Sequence, residues 1–594
     1  QEVYMVSDFW TPEFNITHRP DGTILMANAD PLMGYLPTLA DYLDKWAADT
    51  PDTIFLGCRD EQGQWETITY AEALHQTRCV ASALLALGLC ADRPLVILSI
   101  NSLAHAVMGL ACLYVGIPYA PVSPAYSLLS QDHKKLKDIA QLLLPGAVFA
   151  DDGAAFAPAI LAAFPSECQV INVTPGQPNA LQYQDLLNYD PKGGDAARAA
   201  ICADDVVKYL FTSGSTGAPK AVINTNGMIC AMQAMVRDCY RYLEKEPPVV
   251  LDWAPWNHTA AGNKVFYLAL TNGGSYYIDH GRPVPGQIDQ TLRNLKEIAC
   301  TWYFNVPIGW DLLVPELERD ADLAATFFSK LGMMFYAGAG LSQQTWDRLQ
   351  AIARKTTGRD VLLATSLGAT ETAPFALACT QIQDKSGNVG VPARGLSMKL
   401  VPHGGTLELR LKGPSITPGY YKNLEKTAEA FDEEGYYCMG DALRPADPQD
   451  LTQGFVFDGR LAENFKLSTG TWVSVGALRT SLVNTMQGLV RDVVIVGENR
   501  PELGALLLLS QTGKSLSPTE RDQRIAALLS DAAQRATGSA SRVTRATVLP
   551  KEPSFERGEV TEKGSLNQRA MRHAHEQIIE ALYRGAGEVY LAKF

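Results

Sequence analysis

Residues 206–228 read VVKYLFTSGSTGAPKAVINTNGM, and the interpretation of the whole chain starts from this stretch. The apolar run 206–211 predicts a buried strand. Small or hydroxyl-bearing residues then continue from Thr212 to Gly217, and such a loop lets the backbone approach an anion and point several N–H groups at it. Lys220 adds a positive charge. The stretch therefore predicts a cradle for a triphosphate.

Two other interpretations of this stretch are weaker. A flexible Gly/Ser linker would not lie between two apolar runs, 206–211 and 221–223. A Walker A loop requires Gly directly before its lysine and Ser or Thr directly after it. Here Pro219 precedes Lys220 and Ala221 follows it, so the spacing excludes that motif.

The nine positions Thr212–Lys220 resemble the phosphate loop of the acyl-adenylate-forming superfamily, which includes acyl-CoA synthetases, luciferases and non-ribosomal adenylation domains. The resemblance implies that ATP is a substrate and that Thr212 and Lys220 act in catalysis. It also implies that the residues between them hold the nucleotide, namely Ser213, Gly214, Ser215, Thr216 and Gly217.

Composition bounds the class of protein. A chain of 594 residues is too long for one core, so two or more domains are expected. A net charge of −13 argues against a nucleic-acid or anionic membrane surface. The eleven cysteines form no Cys-x-x-Cys pair, which favours reduced thiols in a cytosolic protein. The first ten residues do not have a signal-peptide pattern, and no apolar run reaches the roughly 20 residues of a membrane span, so a cytoplasmic location is expected.

Alternating strands and helices predict a doubly wound α/β fold. Helical spacing is found at 38–50, 71–87, 104–115 and 341–353, and short apolar runs that predict strands are found at 53–57, 94–100, 147–150 and 169–173. The segment 1–36 is expected to be an irregular surface strap. A β-rich region at about 396–458 predicts a small barrel-like subdomain. The predicted domains are 1–460, which binds AMP and the acid, and 461–594, a smaller mobile α+β domain.

A second motif, SLGATETAP at 366–374, follows an apolar run, where ligands of open α/β sheets bind. Thr370 and Glu371 supply a hydroxyl and a carboxylate, which suit Mg²⁺ bound to substrate phosphates. On residue type alone a helix N-cap is the better explanation. The resemblance to the superfamily's Gly-x-Thr-Glu element instead implies that Thr370 and Glu371 bind the metal and that Gly368 contacts the nucleotide.

The position before Gly368 departs from the superfamily pattern. The family usually has an aromatic residue there, which stacks on adenine, but this chain has Leu367. Stacking is therefore weaker here or is supplied elsewhere, with Tyr336 as the candidate.

Two further residues resemble those that bind the ribose in this superfamily. Asp441 ends the sequence YCMGD, and Arg460 ends DGR. An Asp after Gly is usually a turn residue, but the resemblance implies that Asp441 accepts hydrogen bonds from both ribose hydroxyls. It implies that Arg460 holds the ribose or a phosphate.

The C-terminal part carries the remaining machinery that the resemblance implies. Lys563, in EVTEKGS, aligns with the superfamily's catalytic lysine, and an ammonium there would stabilise charge as the carboxylate meets the α-phosphate. Ala462 aligns with the hinge, where the family commonly has Asp or Lys. The segment 464–473, with Lys466 and Gly470, is then expected to swing in, and Gly470 to leave room for the arm of coenzyme A.

Three aromatic and small-residue stretches are typical of a flat apolar pocket: 253–262, 302–307 and 334–340. Most of these aromatics, taken singly, are explained as core residues. Together with 456–476 they are closely similar to feruloyl-CoA synthetases. That resemblance implies a hydroxycinnamate substrate and a role for His258 in gating or lining the acid site. Ligand contacts are expected at Gly338, Ala339 and Gly340.

The predicted reaction is an AMP-forming ligation of an acid to coenzyme A through an acyl-adenylate. The expected partners are the carboxylic acid, ATP and coenzyme A, with Mg²⁺ as cofactor and a homodimer as a compatible assembly. Two alternatives stay open: a ligase for another aryl or medium-chain acid, and a nucleotide-binding pseudo-enzyme. The chain has no Gly-x-Ser-x-Gly elbow, which argues against a hydrolase.

Overall fold

The structure is a computed structural model, and it describes residues 8–32, 34–213, 218–284, 286–338, 340–554, 557–560 and 566–594. Strands and helices are numbered separately in chain order. The elements before residue 226 are β1 (Phe14–His18), β2 (Ile24–Asn28), α1 (Leu39–Asp49), β3 (Ile54–Arg59), β4 (Trp65–Thr69), α2 (Tyr70–Ala86), β5 (Leu95–Leu98), α3 (Leu103–Tyr114), β6 (Tyr119–Pro121), α4 (Ala125–Leu128), α5 (Lys134–Leu143), β7 (Ala147–Asp152), α6 (Gly153–Ala163), β8 (Gln169–Thr174), β9 (Leu181–Gln182), α7 (Tyr183–Leu186), α8 (Asp195–Ala200), β10 (Val206–Ser213) and β11 (Pro219–Thr225).

The elements from residue 226 to residue 460 are α9 (Asn226–Cys239), β12 (Val249–Asp252), α10 (Phe266–Thr271), β13 (Ser275–Ile278), α11 (Ile288–Glu297), β14 (Trp302–Asn305), α12 (Pro307–Arg319), α13 (Ala321–Phe328), β15 (Met333–Tyr336), α14 (Gln343–Thr357), β16 (Leu362–Leu367), β17 (Leu377–Ala378), β18 (Asn388–Pro392), β19 (Ser397–His403), β20 (Thr406–Lys412), α15 (Leu424–Glu429), β21 (Tyr437–Pro445) and β22 (Phe455–Arg460). A π-helical turn, Ala260–Val265, leads into α10.

The last elements are β23 (Phe465–Lys466), β24 (Trp472–Val473), α16 (Val475–Thr485), β25 (Val490–Val496), β26 (Leu503–Leu509), α17 (Gln511–Ser515), α18 (Pro518–Arg535), β27 (Val543–Val548), α19 (Gln568–Ala574), α20 (Glu576–Arg584) and β28 (Tyr590–Leu591).

The predicted α/β fold is confirmed. One sheet has the order β11-β10-β6-β5-β7-β8-β9, with parallel pairing from β10 through β9, and a second has the order β12-β13-β3-β4. Helices form where the apolar spacing predicts them, and Ser342 caps α14 by accepting a hydrogen bond from the N–H of Thr345.

The largest sheet corrects one expectation. Its order is β1-β2-β19-β20-β21-β22-β18-β17-β16-β15-β14. The expectation of an irregular strap is wrong for 14–28, because β1 and β2 form a hairpin whose second strand pairs with β19. The strands of the β-rich region at about 396–458, β19 to β22, pair in antiparallel fashion and join the α/β part of the sheet through β18, β17 and β16.

The chain changes to a new sheet after β22. The four strands β25-β26-β27-β28 form their own sheet, and a separate apolar core packs between this sheet, α16 and α18. Ile525, Leu528 and Leu529 are the buried face of α18, as the helical spacing predicts. None of the helices in the described ranges is long and apolar enough to cross a membrane.

Candidate active site

The two ends of the phosphate-loop stretch lie on antiparallel strands. Strands β10 and β11 pair from Val206 with Thr225 to Ser213 with Pro219, and Thr212 lies opposite Lys220. The residues between these strands that were predicted to hold the nucleotide, Gly214, Ser215, Thr216 and Gly217, lie outside the described residues. The Oγ1 atom of Thr212 is buried and makes no hydrogen bond within the described part of the chain. Since buried hydroxyls normally have a partner, this atom is suited to a bound ligand.

A crossing segment, 417–421, holds the second of these strands, β11. The N–H of Ile223 donates to the carbonyl of Gly419 at 3.1 Å, and the N–H of Tyr421 donates to that of Ala221 at 2.9 Å. This pairing places the ring of Tyr420 under Lys220, whose Nζ lies 4.5 Å from the ring centre. The aromatic face attracts the ammonium and helps to orient it.

Glu371 lies in a short 3₁₀ turn, Thr370–Thr372, which follows β16. Its carboxylate is only 6% exposed and accepts a hydrogen bond of 2.8 Å from the hydroxyl of Tyr420. The carbonyl of Glu371 accepts from the N–H of Thr417 at 2.8 Å. Burial, followed by the Glu371 charge, raises the pKa of Tyr420, so this hydroxyl stays a donor at neutral pH.

Asp441 and Arg460 are register partners across β21 and β22. Arg460 Nε lies 3.9 Å from Asp441 Oδ1, and the arginine side chain is 68% exposed. Burial raises the pKa of Asp441 to about 6, and the Arg460 charge only partly opposes that shift. The turn interpretation of Asp441 is wrong, because the residue lies within a nine-residue strand. Its carboxylate is buried beside an exposed cation, which suits a diol ligand that arrives from solvent.

These residues are connected. Burial is the main cause of the raised pKa values of Tyr420 and Asp441; the nearby Tyr437 hydroxyl, on β21, partly opposes the first shift, and the Glu371 charge adds to the second. We define the nucleotide cluster as Thr212, Lys220, Glu371, Tyr420, Tyr437, Asp441 and Arg460. Residues that are far apart in the sequence therefore meet at one place, where two carboxylates and two cations can face a nucleotide.

The oxygen donors at Glu371 fit a magnesium ion. The Oε1 atom of its carboxylate takes the Tyr420 hydrogen bond, and the half-buried Thr370 precedes Glu371 in the same turn. The described residues contain no group of three or more His, Cys, Asp or Glu side chains arranged to hold a metal. Mg²⁺ commonly binds through one or two carboxylates plus substrate phosphates, so a single carboxylate beside a phosphate loop is sufficient.

The expected stacking role of Tyr336 is wrong. Tyr336 is 2% exposed, its hydroxyl accepts from the N–H of Gly387, and its ring packs edge-on against Trp346. Leu367 is half-buried at the end of β16. A Cβ at Gly368 would lie 1.2 Å from the carbonyl oxygen of Pro374, so only glycine fits there.

The predicted acid-site residues lie at the ends of neighbouring elements. His258 is half-buried two residues before the π-helical turn, and its carbonyl accepts from the N–H of Gly262 at 2.7 Å. Gly338 and Gly340 are exposed just past β15, while Ala339 lies outside the described residues. Trp253 donates from Nε1 to Asn305 Oδ1 at 3.1 Å, which fixes one aromatic at the end of β14.

Beyond β22 the chain turns at Leu461–Glu463, which contains Ala462. Lys466 and Gly470 belong to the small hairpin of β23 and β24, and Gly470 has a φ of +80° with open space at its Cβ position. Trp472 of this hairpin packs against His403, at the turn between β19 and β20, with ring centres 5.6 Å apart. Lys563 lies outside the described residues, between Val560 and Leu566, which form an antiparallel bridge.

Tyr420 and Tyr437 were not predicted from the sequence. Their roles depend on the pairing of 417–421 with β11 and on the strand register of β21. The only local signal is that Tyr420 follows Thr-Pro-Gly and that Tyr437 opens the YCMGD motif.

The fold and the nucleotide cluster define a class: an α/β protein of several sheets with a candidate nucleotide site formed by residues from different strands and turns. The family model "AMP-binding enzyme" matches residues 43–421, and "AMP-binding enzyme C-terminal domain" matches residues 465–587. The chain therefore belongs to the AMP-binding enzyme family, which forms acyl-adenylates.

The relatives that match this chain are named for different activities. A carboxylic acid reductase of Mycobacterium marinum is 25% identical over 66% of this chain and 34% of its own length. The long-chain-fatty-acid–CoA ligase FadD15 of Mycobacterium tuberculosis is 24% identical over 90% of this chain and 95% of its own. A feruloyl-CoA synthase of an Amycolatopsis species is 26% identical over 63% and 70%. The chain spans about a third of the reductase.

Solved structures show the same fold. The A domain of a carboxylic acid reductase from Segniliparus rugosus, solved with AMP and a co-purified carboxylic acid, superposes with a TM-score of 0.70. It is 17% identical and covers 92% of this chain and 94% of its own.

Proposed function

We propose that the chain ligates an aromatic acid of the hydroxycinnamate class, such as ferulic acid, to coenzyme A, with ATP converted to AMP and pyrophosphate. The observation that carries the proposal is the nucleotide cluster, in which Glu371, Asp441 and Arg460 lie with the hairpin of Thr212 and Lys220. An arrangement with a buried carboxylate for a ribose and a cation for phosphates suits adenylate transfer.

In the first step, an oxygen of the acid's carboxylate attacks the α-phosphorus of ATP. The bond from that phosphorus to the bridging oxygen breaks, and pyrophosphate leaves. Lys220 and the Thr212 hydroxyl offset the charge on the phosphates. Asp441 accepts from the ribose hydroxyls, and Arg460 lies beside it. Glu371 and Thr370 would hold Mg²⁺, whose charge would offset that of the phosphates.

In the second step, the thiol of coenzyme A attacks the acyl carbon and AMP leaves, so no protein nucleophile is needed. We propose that residues 461–594 form a mobile domain that pivots at Ala462 between the two steps. Closure would bring Lys563 to the carboxylate and α-phosphate for the first step. The other closed state would bring Lys466 and Gly470 beside the arm of coenzyme A.

Two relatives support two different classes of acid. The feruloyl-CoA synthase of Amycolatopsis supports an aromatic acid. The medium-chain fatty-acid–CoA ligase of Escherichia coli, 27% identical over 68% of this chain, supports an alkyl acid as the second candidate.

Pyrophosphate release separates these candidates. The assay supplies Mg-ATP and coenzyme A with ferulate, benzoate or octanoate, and it identifies the thioester by mass. We expect release and thioester formation to be fastest with ferulate. Octanoate as the best substrate would assign the enzyme to alkyl acids, and no release with any acid would favour a nucleotide-binding pseudo-enzyme.

A further inference from the structure

Lys264, on the π-helical turn 260–265, has a buried side-chain nitrogen with no hydrogen-bond partner among the described residues. The residue is 2% exposed, and its Nζ makes no hydrogen bond within the described ranges. Aromatic rings surround this nitrogen: it lies 3.4 Å from the ring centre of Phe335, 4.7 Å from that of Phe375 and 5.7 Å from that of Trp302. The rings attract a cation but offer no hydrogen-bond acceptor, so they offset only part of the cost of desolvating this lysine.

A second buried donor beside it is also unpaired. Trp302 is 1% exposed, and its Nε1 makes no hydrogen bond within the same described ranges. Lys208 shows the contrast: it is equally buried, but its Nζ donates to the carbonyl of Gly262 at 3.2 Å. Since buried polar groups are normally satisfied, two unpaired donors in one place indicate an acceptor that arrives with a ligand.

The residues of this pair and the rings around it lie in or next to the segments expected to hold the acid. Phe335 is the second-last residue of β15, just before Gly338 and Gly340, and Trp302 opens β14. Phe375 lies four residues after Glu371, and Lys264 lies six residues after His258. The rings around Lys264 therefore come from the strands and turns whose ends form the proposed acid site.

We propose that Lys264 and Trp302 form a subsite for an oxygen substituent on the aromatic ring of the acid, so that the substrate class is ring-oxygenated aryl acids. The inference rests on the proposed function and deepens it. A phenol suits the pair, because its oxygen can accept a hydrogen bond from Trp302 Nε1–H while its O–H group forms a hydrogen bond with Lys264 Nζ. An alkyl chain has no acceptor and would leave both donors unpaired.

Burial lowers the pKa of Lys264 well below its ordinary value. An uncharged amine accepts the phenolic proton in a hydrogen bond, and an ammonium instead pairs with a phenolate. Either protonation state satisfies the lysine once a ring hydroxyl is bound, and no other reactant is needed.

The test compares kcat/KM for ferulate and 4-hydroxycinnamate with that for cinnamate, which lacks a ring oxygen. We expect the wild-type enzyme to favour the oxygenated acids by about 10²-fold, since a site built for a hydroxyl rejects the analogue without it. Lys264→Met should bring the ratio close to one, mainly through loss with ferulate. Trp302→Phe should lower the ratio by a smaller factor.

Lys208→Met is the matched control, since it removes a buried lysine that has a protein partner, and it should leave the ratio unchanged. If Lys264 has a purely structural role, Lys264→Met should lower kcat/KM for the oxygenated acids and for cinnamate by the same factor. If Lys264→Met does not fold, the wild-type enzyme alone still tests the subsite. Equal kcat/KM values for ferulate, 4-hydroxycinnamate and cinnamate would overturn it. No activity with any aromatic acid, together with activity on octanoate, overturns the proposed function instead.

Discussion

Most buried polar groups of the nucleotide cluster have protein partners, whereas those of the lysine–tryptophan subsite, Lys264 and Trp302, have none among the described residues. In the cluster, Glu371 accepts from Tyr420 and Asp441 lies beside Arg460, so the protein supplies most partners itself. In the subsite, Lys264 and Trp302 are left unpaired among the described residues. The difference indicates that the first region is built for a ligand of fixed chemistry, whereas the second depends on the particular acid for its missing partner.

The largest effect is expected at Lys563, and it tests whether the nucleotide cluster needs the C-terminal part to form the acyl-adenylate. Lys563→Ala should lower the rate of acyl-adenylate formation by about 10³-fold, because it removes a cation from the developing charge. Transfer from preformed feruloyl-AMP to coenzyme A should change little. The measurement is pyrophosphate release for the first step and thioester formation from synthetic feruloyl-AMP for the second.

The control for that variant is Lys551→Ala, at an exposed lysine of the same C-terminal part, which should leave both half-reactions unchanged. Equal losses in the two half-reactions of Lys563→Ala would mean that the lysine does not serve the first step specifically.

The next effect concerns the hydrogen bond that orients Glu371. Tyr420→Phe keeps the ring under Lys220 but removes the hydroxyl that donates to Glu371 Oε1. We expect about a tenfold loss in kcat/KM for ATP, of the order of one hydrogen bond to a charged group, and a higher Mg²⁺ concentration for half-maximal rate. Tyr421→Phe, on the adjacent ring that packs against Tyr209, is the control. An unchanged Mg²⁺ requirement in Tyr420→Phe would separate Tyr420 from the metal site.

A smaller effect should appear as a pH dependence at the ribose site. Burial raises the pKa of Asp441 to about 6, so the carboxylate is protonated below that pH and loses acceptor capacity. KM for ATP should therefore rise as the pH falls through about 6 in the wild type. Asp441→Asn should have a higher KM at neutral pH and should lose this dependence. A wild-type profile that is flat between pH 5 and pH 7 would contradict the assignment.

The same shift has the opposite sign for stability. Because the folded protein binds the Asp441 proton more tightly than the unfolded chain, this group makes the free energy of unfolding larger as the pH falls from about 7 towards the ordinary aspartate value. Asp441→Asn should remove that contribution.

The smallest effect compares the two buried lysines directly. Lys264→Met should raise the free energy of unfolding of the ligand-free protein by about 1 kcal/mol, because it replaces an unpaired buried amine with an apolar side chain of similar length. Lys208→Met should lower it by about 1 kcal/mol through loss of the hydrogen bond to Gly262. Denaturant titration measures both, and a loss of stability in Lys264→Met as large as in Lys208→Met would show that Lys264 is already satisfied.

The sequence predicts the nucleotide region well because that chemistry lies in short contiguous motifs. The hairpin around Thr212 and Lys220 is flanked by apolar runs that form β10 and β11. Asp441 and Arg460 each end a short motif, although their approach across β21 and β22 is visible only in the strand register.

What the sequence does not predict depends on contacts between distant segments. Tyr420 reaches Glu371 because 417–421 crosses β11. Lys264 looks like an ordinary polar residue of a helix until Phe335 and Phe375 are brought around it. The hairpin of β1 and β2 was missed because its strands are stabilised by β19, which is far away in the sequence.

The central claim is that an acid is activated through its adenylate, and oxygen labelling tests it most directly. Ferulate labelled with ¹⁸O in its carboxylate is converted with unlabelled ATP and coenzyme A, and the products are analysed by mass spectrometry. We expect one labelled oxygen in AMP and none in pyrophosphate, because the attacking carboxylate oxygen stays on the α-phosphorus when the thiol displaces AMP. Label in inorganic phosphate together with ADP formation would contradict the account.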